Sequence, residues 1–368
     1  MPPPSRIVMA TTKCFPDLGG IESHVQEVAP RMARAGYDVR IVATDRTGRL
    51  PRHDDNDGVA VRRYRAFPRR RDYYASPGLF AGLLRDDYEL LHVQGIHTLV
   101  PPLAMMAAIL RRKPFVLTFH TGGSSSRLRT RARATQFRLL APLLRRAAVL
   151  VAVSHYEADR FERILGQAPG TIRVIRNGGT LPEPAAPVAV DPDLIVSVGR
   201  LERYKGHHRA IAALPYVVKT RPDARLRILG AGPYEAALRA LAAELGVADR
   251  VEITVVAPGD RAGMSAELAR AGVMTLLSDY EAHPVAVMEA LALARPVVVL
   301  ETSGLTELAR AGWVRGVAAD ASDEVVAEAL VAQLADPIRA DRERLPTWQT
   351  CVAELDVAYR DALTAGGR

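Results

Sequence analysis

The strongest constraint on the fold is an alternation of short apolar runs and helical patterns that runs its course twice. In the first half, Arg6–Ala10, Asp38–Ala43, Val59–Tyr64, Leu90–Val93, Phe115–Phe119, Val149–Val153 and Ile172–Ile175 read as strands. Helical patterns fall between them at Gly20–Ala35, Leu99–Leu110 and Arg127–Arg146. Buried strands separated by helices imply a parallel sheet covered on both faces. The pattern then breaks at Leu181–Pro192, where Pro182, Pro184, Pro187 and Pro192 can continue neither a helix nor a central strand. Beyond this linker it restarts. Strands are expected at Leu194–Val198, Arg225–Leu229, Val251–Val255, Val273–Leu277 and Val297–Leu300. Helices are expected at His207–Thr220, Tyr234–Leu245, His283–Leu293 and Asp323–Leu334. Two doubly wound α/β domains, 1–180 and 193–345, therefore flank a linker at 181–192. A last segment, 346–368, carries an amphipathic helix at Trp348–Leu363.

Length agrees with this division, since 368 residues is enough for two domains of about 100–200 residues each. The net charge of +8 is unevenly spread. Residues 1–183 hold 29 of the 49 Lys and Arg and 16 of the 41 Asp and Glu, a surplus of 13, and the remainder runs a deficit of 5. A basic first half implies an anionic partner: phosphate, a membrane surface or nucleic acid. Aromatic residues make up 5% of the chain, and no stacking platform accompanies the arginines, which argues against nucleic acid. The segment Arg127–Arg146 mixes seven arginines with Leu128, Phe137, Leu139, Leu140, Leu143 and Leu144. It reads equally as a solvated helix with its apolar face in the core or as a peripheral contact with an anionic membrane. Cys14 and Cys351 lie far apart without metal-ligand spacing, and no charged leader precedes an apolar stretch. The expected setting is therefore a reducing, cytoplasmic one, with peripheral contact at the inner membrane face left open. The run Leu99–Leu110 is too short to span a bilayer, which takes about 20 residues.

Open parallel sheets bind ligands at the carboxyl ends of their strands, so residues just after strands carry the functional information. Gly19-Gly20 opens the first helix, where backbone N–H groups could receive a phosphate, although a tight turn explains the pair as well. Arg200 and Lys205 bracket the loop after Leu194–Val198 and could neutralise a diphosphate, or could simply be a solvated basic loop. After Val273–Leu277 comes Ser278-Asp279-Tyr280-Glu281-Ala282-His283-Pro284 and then a helix that contains Glu289. A carboxylate at Glu281 could accept sugar hydroxyls and one at Glu289 both hydroxyls of a ribose. The plainer reading is a loop acid favoured by the helix dipole plus an ordinary helical acid. Glu289 sits in Val287-Met288-Glu289-Ala290-Leu291, an apolar setting in which an acid needs a partner. His92, Gln94 and His97 cluster after a first-half strand, a poor metal site that suits acceptor contacts or plain packing.

Taken in order, these pieces resemble one family. Gly19-Gly20-Ile21-Glu22, Thr118-Phe119-His120, Val153-Ser154 and Ile175-Arg176-Asn177-Gly178 stand in the first half. Gly199-Arg200…Lys205-Gly206, Leu229-Gly230-Ala231-Gly232-Pro233 and Glu281…Glu289-Ala290-Leu291-Ala292…Arg295-Pro296-Val297-Val298 stand in the second. Over nearly its whole length the chain is similar to the retaining glycosyltransferases of family four. The resemblance implies a GT-B fold, two Rossmann-like doubly wound parallel-sheet domains facing a cleft, with the last helix crossing back to the first domain. It implies a nucleotide-sugar donor, metal-independent transfer and no cofactor beyond that donor. Gly19 and Gly20 would meet the donor phosphate, Arg200 and Lys205 the diphosphate, and Glu289 the ribose. Glu281 and His120 would flank the reacting sugar, with His283 and Val285 completing the donor contacts. The acceptor would be a hydroxyl on a glycan, a lipid-linked saccharide or a small natural product, and UDP is the first expectation for the carrier.

One stretch departs from the family. Gly-Phe-Gly usually follows the first glutamate, and here Ala282-His283-Pro284 stands instead. Pro284 has no N–H to offer a phosphate. His283 could compensate or select a different donor, or be an exposed loop histidine. The competing functions are a non-hydrolysing sugar-nucleotide epimerase and an inactive sugar-nucleotide-binding partner.

Overall fold

The structure is a computed structural model that describes residues 5–17, 19–69, 73–123, 127–184 and 186–366, the side chains of 127–134 excepted. The chain packs as two compact units. The first comprises Met1–Thr121, Arg131–Asn177 and Trp348–Arg368, and the second Gly122–Thr130 and Gly178–Thr347. This differs from an undivided first domain, because Gly122–Thr130 belongs to the second unit, where Gly122 bridges Glu281.

The first unit holds β1 (Arg6–Ala10), β2 (Asp38–Asp45), β3 (His53–Asn56), β4 (Val59–Arg65), β5 (Leu90–Gln94), β6 (Phe115–Thr118), β7 (Val149–Ala152) and β8 (Arg173–Val174). They lie in the order β3-β4-β2-β1-β5-β6-β7-β8. Every pairing is parallel except β3 with β4. Hydrophobic patterning cannot reveal β3, because its sequence His-Asp-Asp-Asn is wholly polar; as a charged edge it discourages pairing with another chain. The helices are α1 (Gly20–Arg34), α2 (Pro77–Arg85), α3 (Val100–Leu110), α4 (Arg127–Leu144, of which Arg131 onward belongs to this unit) and α5 (His155–Leu165). Neither α2 nor α5 was expected. In α5 the buried positions Ala158, Phe161 and Leu165 recur at helical spacing, Ser154 caps its start through Glu157 N, and Gly166 ends it at φ 64°. Phe161 stacks on Phe119, ring centres 3.8 Å apart. In α4, Phe137, Ala141 and Leu144 are in the core while Leu139 is exposed. Two of the apolar residues expected to favour membrane contact, Phe137 and Leu144, are thus committed to packing. The side chains of Arg127 to Arg133 lie outside the described residues.

The second unit holds β9 (Asp191–Val198), β10 (Arg225–Leu229), β11 (Val251–Thr254), β12 (Ala271–Leu276), β13 (Val297–Leu300) and β14 (Arg315–Val317). They form a wholly parallel sheet in the order β11-β10-β9-β12-β13-β14. Around it lie α6 (His207–Thr220), α7 (Glu235–Glu244), α8 (Arg261–Arg270), α9 (Val285–Ala292), α10 (Leu305–Arg310) and α11 (Asp323–Ala335). The two sides of the sheet bury different residues: Ile195, Val273 and Val298 on one, Val196, Met274, Val297 and Val299 on the other. That is the period-two alternation of a strand, apolar on both faces because helices cover both. The linker ends sooner than expected, since β9 already contains Pro192. The missing N–H costs no regular ladder bond there. Pairing with β10 starts at Leu194, and the register with β12 is irregular between Ala271 and Val273.

In each unit the chain lays strands to one side of its first strand and then returns to the other. β1 is flanked by β2 and β5, and β9 by β10 and β12. These are the switch points at which open α/β sheets leave a crevice beyond the strand ends.

The closing helix α12 (Trp348–Gly366) belongs to the first unit, against α1, β5, β6 and β7. Trp348 is fully buried, its ring 5.9 Å from that of His24. Tyr359 is fully buried too, with its hydroxyl 2.6 Å from His92 Nδ1. Removing a buried indole loses transfer energy and leaves a cavity, so Trp348→Ala is expected to lower stability by about 3–5 kcal/mol. Urea unfolding of the full chain measures this, and a loss under about 1 kcal/mol would show that α12 is not integral to the first unit.

Candidate functional site

The second unit builds its site where β9 and β12 end side by side. Beyond β9 the chain turns at Gly199, at φ 152°, and runs through a short 3-10 turn, Arg203–Lys205, that Gly206 closes at φ 77°. A Cβ on Gly206 would stand 1.8 Å from Leu277 O, so only glycine lets this loop lie on the strand end. The loop is then stitched to the one after β12. Asp279 N donates to Tyr204 O at 2.8 Å and Ser278 Oγ to Lys205 O at 3.3 Å. Arg209 donates to Leu277 O at 2.9 Å and pairs with Asp279 at 2.8 Å.

This close approach brings two of the expected residues together. Lys205 Nζ donates to Glu281 Oε1 at 2.6 Å, with side chains 17% and 11% exposed. Burial pulls the Lys205 amine down, but the charge of Glu281 and the neighbouring Tyr204 outweigh it and raise the amine above its ordinary value. Arg200 sits on the same loop with its side chain 61% exposed, 3.1 Å from Glu202 and 2.9 Å from Tyr204 Oη.

The backbone of Glu281 is held by a residue the sequence did not point to. Ser303 Oγ accepts from Glu281 N and donates to Glu281 O, both at 2.8 Å, and Gly304 N donates to the same carbonyl at 2.9 Å. Ser303 adopts φ 46°, and a Cβ on Gly304 would stand 1.8 Å from Ala282 O. No local pattern marks Ser303, because its role arises only where β13 lies beside β12. Glu289 has its partner too: Arg261, at the start of α8, pairs with it at 2.7 Å and also donates to Thr180 O at 3.1 Å. His283 is buried, not an exposed loop histidine. The expected helix His283–Leu293 starts later, at Val285, because Pro284 takes extended backbone and serves as the cap residue; no side chain caps this helix start.

In the first unit, Gly19 and Gly20 open α1, whose start has no side-chain cap either. A Cβ on Gly20 would meet nothing within 4 Å, so neither space nor backbone angle demands glycine at that position. His120 follows β6 at φ 48°, a left-handed conformation that a side chain of this size rarely adopts. It is fixed from several sides. Its Nε2 lies 2.8 Å from Gln94 Oε1, and its carbonyl lies 3.0 Å from His97 Nε2. The next residue, Thr121, donates to Glu157 Oε1 through N at 2.6 Å and Oγ1 at 2.5 Å, while Glu157 Oε2 accepts from Val153 N at 2.9 Å. His92 is a packing residue that ties Tyr359 to Thr118. His24, which the sequence did not single out, lies edge-on to His120 with ring centres 4.6 Å apart and bonds Asn177 at 2.9 Å. Among the described residues no three His, Cys, Asp or Glu side chains are arranged to hold a metal ion.

Burial keeps His24, His92 and His120 neutral at ordinary pH. Burial lowers His24 to about 4, against the raising effect of Asn177. Burial, then neighbouring histidines, holds His92 and His120 well below the usual imidazole range. In the second unit burial likewise lowers His207 to about 4. An unfolded histidine takes a proton near pH ~6.5, whereas folded His24 resists until pH about 4. The unfolded state binds more protons across that window, so stability must fall as pH drops through it. His24 alone accounts for on the order of 3 kcal/mol at the bottom of the window. Thermal unfolding measured from pH 7 down to 4.5 should show a continuous decline, and a flat profile would contradict neutral burial.

The comparisons with known proteins follow the two units. Residues 18–179 match the model described as Glycosyltransferase Family 4, and residues 183–345 match Glycosyl transferases group 1. A GDP-mannose:cellobiosyl-diphosphopolyprenol alpha-mannosyltransferase from Xanthomonas oryzae is 28% identical over 298 residues, covering 78% of this chain and 76% of that protein. A D-inositol 3-phosphate glycosyltransferase from Catenulispora acidiphila is 28% identical and covers 95% of this chain and 92% of its own length. Among solved structures, the sucrose-phosphate synthase of Thermosynechococcus elongatus superposes with a TM-score of 0.78 at 21% identity, covering 98% of this chain and 100% of that one. HepE of Anabaena, in complex with UDP-glucose, gives a TM-score of 0.74 at 18% identity, covering 96% and 99%. The fold is GT-B, built from two Rossmann-like parallel-sheet units, and the chain belongs to the family-four, group 1 glycosyltransferases.

Proposed function

We propose that this glycosyltransferase moves a sugar from a nucleoside diphosphate to an acceptor hydroxyl with retention of configuration at the anomeric carbon. The observation that carries the reading is the Lys205–Glu281 pair at the joined ends of β9 and β12, with the guanidinium of Arg200 exposed on the same loop. Two cations there suit a diphosphate, whose charge grows as it leaves. Donor binding would draw Lys205 onto the phosphates and release Glu281 toward the sugar hydroxyls. Glu289, oriented by Arg261, suits the ribose. The uncapped start of α9 at Val285 offers backbone N–H groups to a phosphate despite Pro284, with His283 beside it. Gly19 and Gly20 would offer the start of α1 in the same way. His120 would contact the donor sugar from the first unit.

In the reaction, the bond from the anomeric carbon to the phosphate oxygen breaks and a bond to the acceptor oxygen forms on the same face. The acceptor proton passes to the departing phosphate. Glu281 is no covalent nucleophile in this scheme. The same-face transfer needs none, because the departing phosphate itself takes the acceptor proton, and Glu281 is left to hold sugar hydroxyls. The positive charge comes from Arg200 and Lys205, so the transfer needs no metal. UDP is the proposed carrier, and the name of the Xanthomonas relative makes GDP the second reading. The same name favours a lipid-linked saccharide as acceptor.

Release of nucleoside diphosphate from UDP- and GDP-sugars, with and without polyprenyl-diphosphate saccharides, tests this directly. Acceptor-dependent release with an α-linked product is expected, whereas epimerisation of the donor without acceptor would overturn it. Arg200→Ala and Lys205→Ala should each raise the barrier by about 2–4 kcal/mol, roughly 30- to 1,000-fold in kcat. A change below about twofold in both would remove the diphosphate from this loop.

A further inference from the structure

We infer that Gln94 is a positioning residue that holds His120 as the tautomer protonated on Nε2, leaving Nδ1 as the ring nitrogen able to accept a hydrogen bond from a donor-sugar hydroxyl. The inference rests on the role proposed for His120. It starts from the amide of Gln94, a fully buried residue at the end of β5. The amide nitrogen lies 3.2 Å from both Nδ1 and Nε2 of His92, which places it over the ring and not in its plane. The in-plane positions of His92 are already taken, Nδ1 by the Tyr359 hydroxyl at 2.6 Å and Nε2 by Thr118 Oγ1 at 2.8 Å. A ring face is electron-rich and attracts an N–H, whereas a carbonyl oxygen placed there would meet like charge. The amide is therefore oriented with NH₂ toward His92 and Oε1 toward His120, 2.8 Å from Nε2. A carbonyl oxygen only accepts, so His120 Nε2 must carry the hydrogen. A neutral imidazole has one N–H, and Nδ1 keeps the lone pair.

The rest of the environment holds this arrangement. The titratable groups facing His120 are His24 on α1, His92 on β5 and His97 beyond β5, and each of them opposes a second proton on its ring. The backbone is clamped at φ 48° by Val151 O on Phe119 N and by Glu157 on Thr121. With the main chain fixed, the remaining freedoms of His120 are ring rotation and tautomer, and Gln94 removes both. A general packing role for Gln94 would need only its volume; this role needs an acceptor oxygen.

The test compares full-length wild type with Gln94→Leu, Gln94→Glu and His120→Ala, using nitrogen-15 spectra of histidine-labelled protein and donor-dependent turnover. The His120 signals, identified by their loss in His120→Ala, should show a protonated Nε2 and a bare Nδ1 in wild type. Gln94→Leu should mix the tautomers and lower kcat/KM about tenfold. Gln94→Glu keeps an acceptor and should keep the Nε2–H form. Its carboxylate should also raise the imidazole and add a titration between about pH 5 and 8 to the rate profile. Protonated Nδ1 in wild type, or unchanged tautomer and turnover in Gln94→Leu, would overturn the proposal. Should Gln94→Leu not fold, the wild-type spectrum and the Gln94→Glu rate profile still decide it. If His120→Ala turns over like wild type while the wild-type spectrum shows Nε2–H, the tautomer assignment stands and the role proposed for His120 falls.

Discussion

Lys205 and Glu281 are 76 positions apart in the chain and 2.6 Å apart in the fold. Most of the candidate site in the second unit depends on that meeting. An ion pair so sheltered is not a source of large net stability, since desolvation offsets much of the attraction. Its consequence is geometric. It sets a cation and a carboxylate against each other at the carboxyl ends of β9 and β12, where the backbone bond from Asp279 to Tyr204 and the bond from the Ser278 hydroxyl to the Lys205 carbonyl have already joined the two loops. Gly206 permits the approach, and Ser303 and Gly304 fix the far side from β13. Three neighbouring parallel strands thus each contribute a loop to one constellation, the arrangement that a switch point in strand order provides.

The first unit solves a different problem. It buries His24, His92 and His120, together with Trp348 and Tyr359 of the closing helix, and desolvation dominates the titration of the three imidazoles. The imidazoles stay neutral and behave as directional hydrogen-bonding groups. Asn177 serves His24, Tyr359 and Thr118 serve His92, and Gln94 serves His120. Acid weakens the fold through these groups, and the same neutrality keeps the ring of His120 available as a hydrogen-bond partner. Glu157 extends the logic to the backbone: a carboxylate that a capping pattern would place at its own helix start reaches instead to Val153 and Thr121.

Much of the fold was legible because buried parallel strands are written as apolar runs that need no context to be recognised. Legibility failed where the driving residues were polar or the element short, and at α5, whose apolar residues are interspersed with Glu157, Asp159, Arg160, Glu162 and Arg163. The edge strand β3 is four polar residues, and α10 is a helix of six. Proline misled once: Pro192 suggests linker, yet it sits inside β9 at a position where no regular ladder bond is lost. The candidate site was legible through its ordered motifs, which marked Arg200, Lys205, Glu281 and Glu289. Arg261, Ser303 and Glu157 escaped, and Gln94 was noticed only as part of a cluster with His92 and His97, because each acts on a residue from another element and no local spacing encodes that relation.

By itself, then, the sequence determined the class of fold, the two runs of alternating elements, and which charged residues stand just beyond strand ends. Hydrophobic periodicity and glycine or proline placement act over a few residues, and a linear reading captures them. Only the tertiary structure decided the partners: Arg261 for the acid buried in α9, Glu281 for Lys205, and Gln94 for the ring of His120. Partners are set by which strands lie side by side and how their loops are held there. Strand order follows from packing two faces of helices onto a twisted sheet, not from any property of one segment.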